Sequence, residues 1–382
     1  MAMEADTLAL VQRVRSFQKV VVLWGGVVVR IDGPVVFALF ILLSSLGENG
    51  RQGPSFIRTF FDQEACGELE EGLASWDSEE SCRDPAVVLL PEVSADEVAA
   101  AEARLSLAAS ADGEALLESF PAQWRSLYSH PQKLRLPAPC FDFRSVVAEL
   151  LECPPKLLEQ VHEVPRSEDF QPCPPLQLGM TLAGLHGAKK SKDACRHRYR
   201  NHEAHARLQE LYRRFVTEEV LPGLARAAGE RVEGFAAAVQ TEPVIRVVLP
   251  SAHAATKRHR DADYGHIPEE LNFWLPLTNV SGCSSLFVES FPGRADFHAF
   301  EGGEGDLFRW WGNLCDHYTE ANTSTTTRVS LDFRVVAGSF YAAAAAAGTV
   351  QKAEKQRRKN HGGSMALGSY YTWMQASLPA GE

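Results

Sequence analysis

In HRDADYGHIPEELNFWLPLT, His259 and Asp261 are separated by a single residue. His317, in GNLCDHYTEAN, follows Asp261 by 56 positions; Arg328 lies 11 beyond it and Ser330 two further on. Residues two apart on an extended chain share a face, so His259 and Asp261 can approach one cation together. Adding His317 completes a face of two imidazoles and one carboxylate, a donor set that suits iron(II) and leaves positions open for other ligands. Arg328 then offers a fixed planar cation to the carboxylate of an oxo-acid. TRVSLDFRVV alternates, with Arg328, Ser330, Asp332 and Arg334 on one face and Val329, Leu331, Phe333 and Val335 on the other. Arg328 and Ser330 can therefore reach the same small acid. A buried arginine is costly unless a carboxylate meets it, and that carboxylate comes either from a ligand or from an internal Asp or Glu.

Other ligand sets compete. His266 lies five residues past Asp261, so His259, Asp261 and His266 form an alternative zinc set. That set leaves Arg328 and the CDHYT segment without a role. His197, His202 and His205 fall within nine residues of CRHRYRNHEAHARL, but arginine neighbours oppose a cation there. They read as a solvated basic helix face.

The elements that must position these groups begin at residue 243. Segments 244–250, 271–277, 284–290, 305–311 and 327–336 are short, rich in branched and aromatic residues, and bounded by Gly, Pro, Asn or Ser. Their spacing suggests an all-β sandwich or barrel. Upstream the pattern is helical. Ser94 with Glu97 three residues on is a capping-box signature, and a second helix near 142–152 stops at Pro154–Pro155. A Pro-rich connector occupies 170–179. A third helical stretch covers 195–225, with Leu208, Leu211, Phe215 and Val220 on or near one face and Pro222–Gly223 ending it. The Ala-rich, basic segment 342–363 reads as a flexible loop or exposed helix. The chain divides into an extension (1–50), a helical N-terminal region (51–195) and a core with its support helix (196–382).

At 382 residues the chain can bury a large core, and its formal net charge of −11 argues against a nucleic-acid partner. The basic clusters Lys189–Lys192 and Lys352–Lys359 are short. Eight cysteines form no CxxC pair and read as reduced, buried thiols, although the even count also permits disulfides in a secreted protein. The apolar runs 20–29 and 34–46 fall short of the ~20 residues that span a bilayer. A cytoplasmic protein is expected, with membrane association only if residues 20–46 act as a targeting or anchoring segment.

PVIRVVLP, KRHRDADYGHIPEELNFWLPLT, SSLFVESFPGRADFHAF, RWWGNLCDHYTEANTSTTTRVSLDFRVV and LGSYY together resemble the iron(II)/2-oxoglutarate-dependent oxygenases. The resemblance is to the phytanoyl-CoA dioxygenase-like branch and its streptomycin-biosynthesis group, over roughly residues 205–375. It implies a mainly β fold with flanking helices around a double-stranded β-helix (jelly-roll) core. It further implies His259, Asp261 and His317 as iron ligands, Arg328 on the distal carboxylate of 2-oxoglutarate and Ser330 assisting it. Asn272 is expected to face the pocket and bond cosubstrate or substrate, with Tyr264, Trp274 and Asn313 as pocket walls. The implied cosubstrates are 2-oxoglutarate and O2, whose reaction yields succinate and carbon dioxide while a small-molecule substrate is oxidised. Halogenases of the family carry a small residue in place of the carboxylate, so Asp261 favours hydroxylation or a related oxidation over halogenation. The competing expectation is a non-catalytic or other-metal cupin-like binding module, which has no use for Arg328. Segment 337–365 departs from the family, where a shorter, more turn-like stretch is expected.

Overall fold

The structure, a computed structural model, describes residues 90–110, 112–136, 141–164, 203–360 and 365–377, with short strands at 19–24, 27–32, 87–88 and 177–178. The apolar run 34–46, the connector 170–179 apart from the strand at 177–178, His197 and His202 lie outside the described residues. The chain forms two compact units, Met1–Glu92 and Val93–Glu382. In the first, β1 (Lys19–Trp24) pairs antiparallel with β2 (Val27–Asp32) on one side and β3 (Val87–Val88) on the other. Among the described residues no helix is long and apolar enough to cross a membrane.

The second unit opens with three helices, α1 (Ala95–Ser110), α2 (Gly113–Glu118) and α3 (Ala122–Tyr128). The expected capping box starts the first: Ser94 N donates to Glu97 Oε2 at 2.7 Å, and Glu97 N donates to Ser94 Oγ at 3.2 Å. After β4 (Gln132–Arg135) comes α4 (Phe143–Leu150), ending just before the Pro154–Pro155 pair. Beyond β5 (Gln177–Leu178), α5 (Glu203–Phe215) runs through a π-helical segment, Val216–Val220, into α6 (Leu221–Ala227). Here the sequence expectation needs correction, because Pro222 does not end the helix. It sits at the start of α6, where a missing N–H costs little, and the π turn absorbs the misfit.

Strands β6 (Ala236–Gln240), β7 (Val244–Val248), β8 (Leu271–Pro276), β11 (Asp306–Trp310), β13 (Arg328–Ala337) and β14 (Tyr371–Gln375) share one large sheet with β4 and β5. A smaller sheet has the order β10 (His298–Phe300), β9 (Leu286–Val288), β12 (His317–Thr319). A bridge from His259 to His317 adds a fourth segment beside β12. From β7 to β13 the chain therefore passes large, small, large, small, small, large, small, large. Within the large sheet the central order is β7-β13-β8-β11. That alternation is the double-stranded β-helix, and with its flanking helices it gives the expected mainly β class.

The β8 strand is buried along its whole length because both its faces are covered. Phe273 stacks on Phe333 at 5.2 Å on the outer face, and Tyr212 and Phe215 of α5 meet Phe333 edge-on there. The opposite face looks into the roll. β4, from the N-terminal helical region, extends the sheet beyond β11. The Ala-rich segment also departs from expectation. It forms α7 (Gly338–Ala346), with Phe340, Tyr341, Ala342, Ala343 and Ala344 buried. Small side chains let this helix lie close on its neighbours, where the sequence suggested an exposed one; basic α8 (Thr349–Asn360) follows.

Candidate metal centre

Among the described residues, two sets bring possible ligand atoms within 4.8 Å of one another. The first is His259, Asp261 and His317. His259 and His317 are directly opposed in an antiparallel bridge: His259 N donates to His317 O at 3.1 Å, and His317 N donates to His259 O at 2.9 Å. Their ring centroids are 4.3 Å apart. Asp261 opens a 3-10 turn, Asp261–Tyr264, closed by Gly265 at φ +79°. Asp261 N and Ala262 N donate to the carbonyls of Gly312 and Asn313, which fixes the turn against the segment leading to His317. Asp261 Oδ1 lies 3.8 Å from His259 Nε2 and 3.5 Å from His317 Nε2.

Each ring turns its other nitrogen outward. The Nδ1 of His259 is 2.8 Å from Lys257 O, and that of His317 is 3.0 Å from Cys315 O. A carbonyl only accepts, so Nδ1 carries the proton and Nε2 keeps its lone pair for a metal. Burial, with the neighbouring His317, pushes the His259 imidazole below its ordinary range and so favours the neutral ligand form. Asp261 is held as firmly. Its Oδ2 accepts from Asn272 Nδ2 at 2.6 Å and from Arg334 Nε and Nη2 at 3.1 and 3.0 Å. Burial would raise the Asp261 carboxyl, but the Arg334 guanidinium, with His317 and His266, holds it well below the usual carboxylate range.

The second set, Asp261, His266 and Glu270, is closed by hydrogen bonds. His266 Nδ1 is 2.6 Å from Glu270 Oε2, Tyr371 donates to Glu270 Oε1, and Arg357 Nη1 stands 3.4 Å from His266 Nε2. Among the described residues, the alternative zinc set of His259, Asp261 and His266 does not assemble.

Arg328, on the inward face of β13, is buried. Nη1 donates to Ser284 O at 3.0 Å and the guanidinium lies 5.9 Å from the Trp274 ring centre. Among the described residues no carboxylate pairs with Arg328, and neither its Nε nor the buried Ser330 Oγ has a hydrogen-bond partner. Burial and the nearby Arg246 push the guanidinium down to about 9. Arg246 itself is met by Asp332, at 2.6 Å.

The remaining expected residues are placed as follows. Asn272 spends its amide on protein groups, Nδ2 on Asp261 and Oδ1 accepting from Gly312 N at 3.2 Å. Asn313 is fully buried, its Nδ2 donating to the carbonyls of His266 and Ile267. Trp274 packs against Phe308 and Phe300 inside the roll. Tyr264 is exposed and meets the His259 ring edge-on at 5.1 Å. Sequence reasoning put Arg334 on the inward face but gave it no partner; nothing local in the sequence signals a contact with Asp261 across 73 residues.

The chain is thus a jelly-roll protein that clusters two histidines and one carboxylate in positions that could hold a metal ion. Over 119 residues the chain is a homologue, at 35% identity, of the streptomycin biosynthesis protein StrG of Streptomyces griseus, in keeping with the resemblance in its motifs. That stretch is 30% of this chain and 54% of StrG, so the match spans about half the length of this relative. No protein-family model matches. Among solved structures, the non-heme alpha ketoglutarate dependent carbocyclase SnoK from nogalamycin biosynthesis aligns at 15% identity over 58% of this chain and 85% of its own, with a TM-score of 0.31. The epimerase SnoN from nogalamycin biosynthesis aligns at 14% over 58% and 83%, again at 0.31.

Proposed function

We propose that the chain is an iron(II)- and 2-oxoglutarate-dependent oxygenase of a small-molecule substrate. One observation carries the reading: a buried arginine and a serine, Arg328 and Ser330, present unpartnered polar atoms on the inward face of the strand whose Arg334 holds Asp261. The donor set fits iron(II), and the orphaned atoms fit the distal carboxylate of 2-oxoglutarate. A cupin-like binding module would leave Arg328 as an unpaired buried cation, which a fold does not retain without use.

In this reading His259, Asp261 and His317 hold the metal through Nε2, Oδ1 and Nε2. When bound, iron with 2-oxoglutarate and O2 supplies oxidation of a substrate C–H bond, with release of succinate and carbon dioxide. The residues position and shield. Arg334 and Asn272 anchor Oδ2 so that Oδ1 keeps one orientation. Arg328 and Ser330 orient the cosubstrate from its far end. Burial of Asp261 and His317 keeps water from their side, while partly exposed His259 and exposed Tyr264 mark the face open to substrate. Asp261 fills the carboxylate position, which favours hydroxylation over halide chemistry.

The test is anaerobic addition of iron(II) and 2-oxoglutarate, followed by absorption spectroscopy and then succinate detection in air. A charge-transfer band and succinate are expected. Absence of both sinks the proposal.

A further inference from the structure

A single row of the large sheet runs through Arg334, Asn272 and Trp310. Arg334 pairs with Asn272 between β13 and β8, and Asn272 pairs with Trp310 between β8 and β11. Directly paired residues on antiparallel strands project from the same face. Arg334 and Asn272 both reach Asp261, so Trp310 faces the same centre. Its ring stands edge-on to His317, with centroids 5.9 Å apart and planes at 76°. The first two members of the row direct their donors onto Asp261 Oδ2. The third keeps its donor unspent: Trp310 is 2% exposed and its Nε1 has no hydrogen-bond partner.

An indole N–H can only donate, and buried tryptophans normally satisfy it. The aromatic wall around Trp310 offers nothing, since Phe300 lies edge-on at 5.6 Å and carries no acceptor. A ligand seated in the roll beside His317 would supply the missing acceptor.

We propose that Trp310 Nε1–H donates a hydrogen bond to an oxygen of the anionic ligand seated at the His259–Asp261–His317 centre. This rests on the reading above, in which that ligand is 2-oxoglutarate. Trp310 is then a ligand-binding residue at the metal end, as Arg328 is at the far end. It also bears on how that ligand lies, because a donor fixed on β11 favours the orientation that turns an oxygen toward it.

The readout need not be turnover. In wild-type protein loaded with diamagnetic zinc, one of the seven tryptophan indole N–H signals should move downfield when 2-oxoglutarate is added. That signal should be missing in Trp310→Phe. In iron(II)-loaded Trp310→Phe without oxygen, the charge-transfer band should shift and 2-oxoglutarate should bind about 5-fold more weakly, the loss expected for one hydrogen bond. Iron affinity should stay as in wild type. A wild-type charge-transfer band with no downfield indole signal overturns the proposal and leaves the site reading intact. An unshifted band with unchanged affinity in Trp310→Phe does the same. No band in wild type defeats the site reading itself. Should Trp310→Phe fail to fold, the indole measurement on wild-type protein still decides.

Discussion

Arg334 directs two donors, Nε at 3.1 Å and Nη2 at 3.0 Å, onto the single oxygen Oδ2 of Asp261. The other oxygen, Oδ1, is thereby turned toward the two imidazoles. Removing the guanidinium in Arg334→Met frees the carboxylate to rotate, and metal affinity should fall about 10- to 100-fold, the usual effect of losing such a partner. The pH dependence follows in sign. Arg334 keeps the Asp261 carboxyl low, so in wild type protons compete with metal at this carboxylate only below the usual carboxylate range. In the variant that acid limb should move to higher pH, as a chelator-competition titration across pH would show.

Arg328 should behave in the opposite way toward stability. It is buried without a carboxylate partner among the described residues, so the ligand-free fold carries an uncompensated cation. Arg328→Met should raise the thermal stability of the ligand-free protein by on the order of 1 kcal/mol. It should leave metal binding intact and remove the stabilisation that 2-oxoglutarate confers on wild type. Equal melting shifts with 2-oxoglutarate in both proteins would falsify the assignment.

Gly312 is required by contact. A Cβ there would stand 2.6 Å from the Asn272 side chain, inside any tolerable approach. Gly312→Ala should push Asn272 off Asp261 and weaken metal binding as much as Asn272→Ala does. Affinities measured for the two variants and their double should show that the losses do not add.

The Arg104–Glu269 pair, at 2.7 Å and almost wholly buried, ties α1 to the segment carrying His266 and Glu270. Burial pushes the Glu269 carboxyl up despite Arg104. Arg104→Met alone should cost about 3–5 kcal/mol by chemical denaturation, since it strands a buried carboxylate. Adding Glu269→Met should recover most of that loss. A single variant as stable as wild type would show the pair to be dispensable.

Much of this was legible because its signals are local. The branched and aromatic runs announced β7, β8, β11 and β13, and alternation assigned the inward face of β13. What escaped had no local signal. Ala236–Gln240 is alanine-rich and carries no strand pattern of its own, yet β13 and β14 pair with it. His298–Phe300 and His317–Thr319 are three residues long and give periodicity nothing to work on. Asn272 was placed in the pocket, but only the three-dimensional packing shows which groups its amide finds. The Ala run looked exposed because small side chains carry no sidedness; partners on both flanks, not its own pattern, bury it.

β13 carries Arg334 beside Asp261 and Arg328 six residues earlier, so their Cα atoms stand about 20 Å apart along the strand at an ordinary rise. In the proposed site the strand works as a ruler between the two ends of one ligand. A slip of one residue turns both cations outward. A slip of two keeps them inward but moves each by roughly 7 Å, so that neither meets its partner. An insertion or deletion within 329–333 would uncouple the metal from Arg328 without altering a single liganding residue. Strand length is therefore as strict a requirement of this site as the identity of His259, Asp261 or His317.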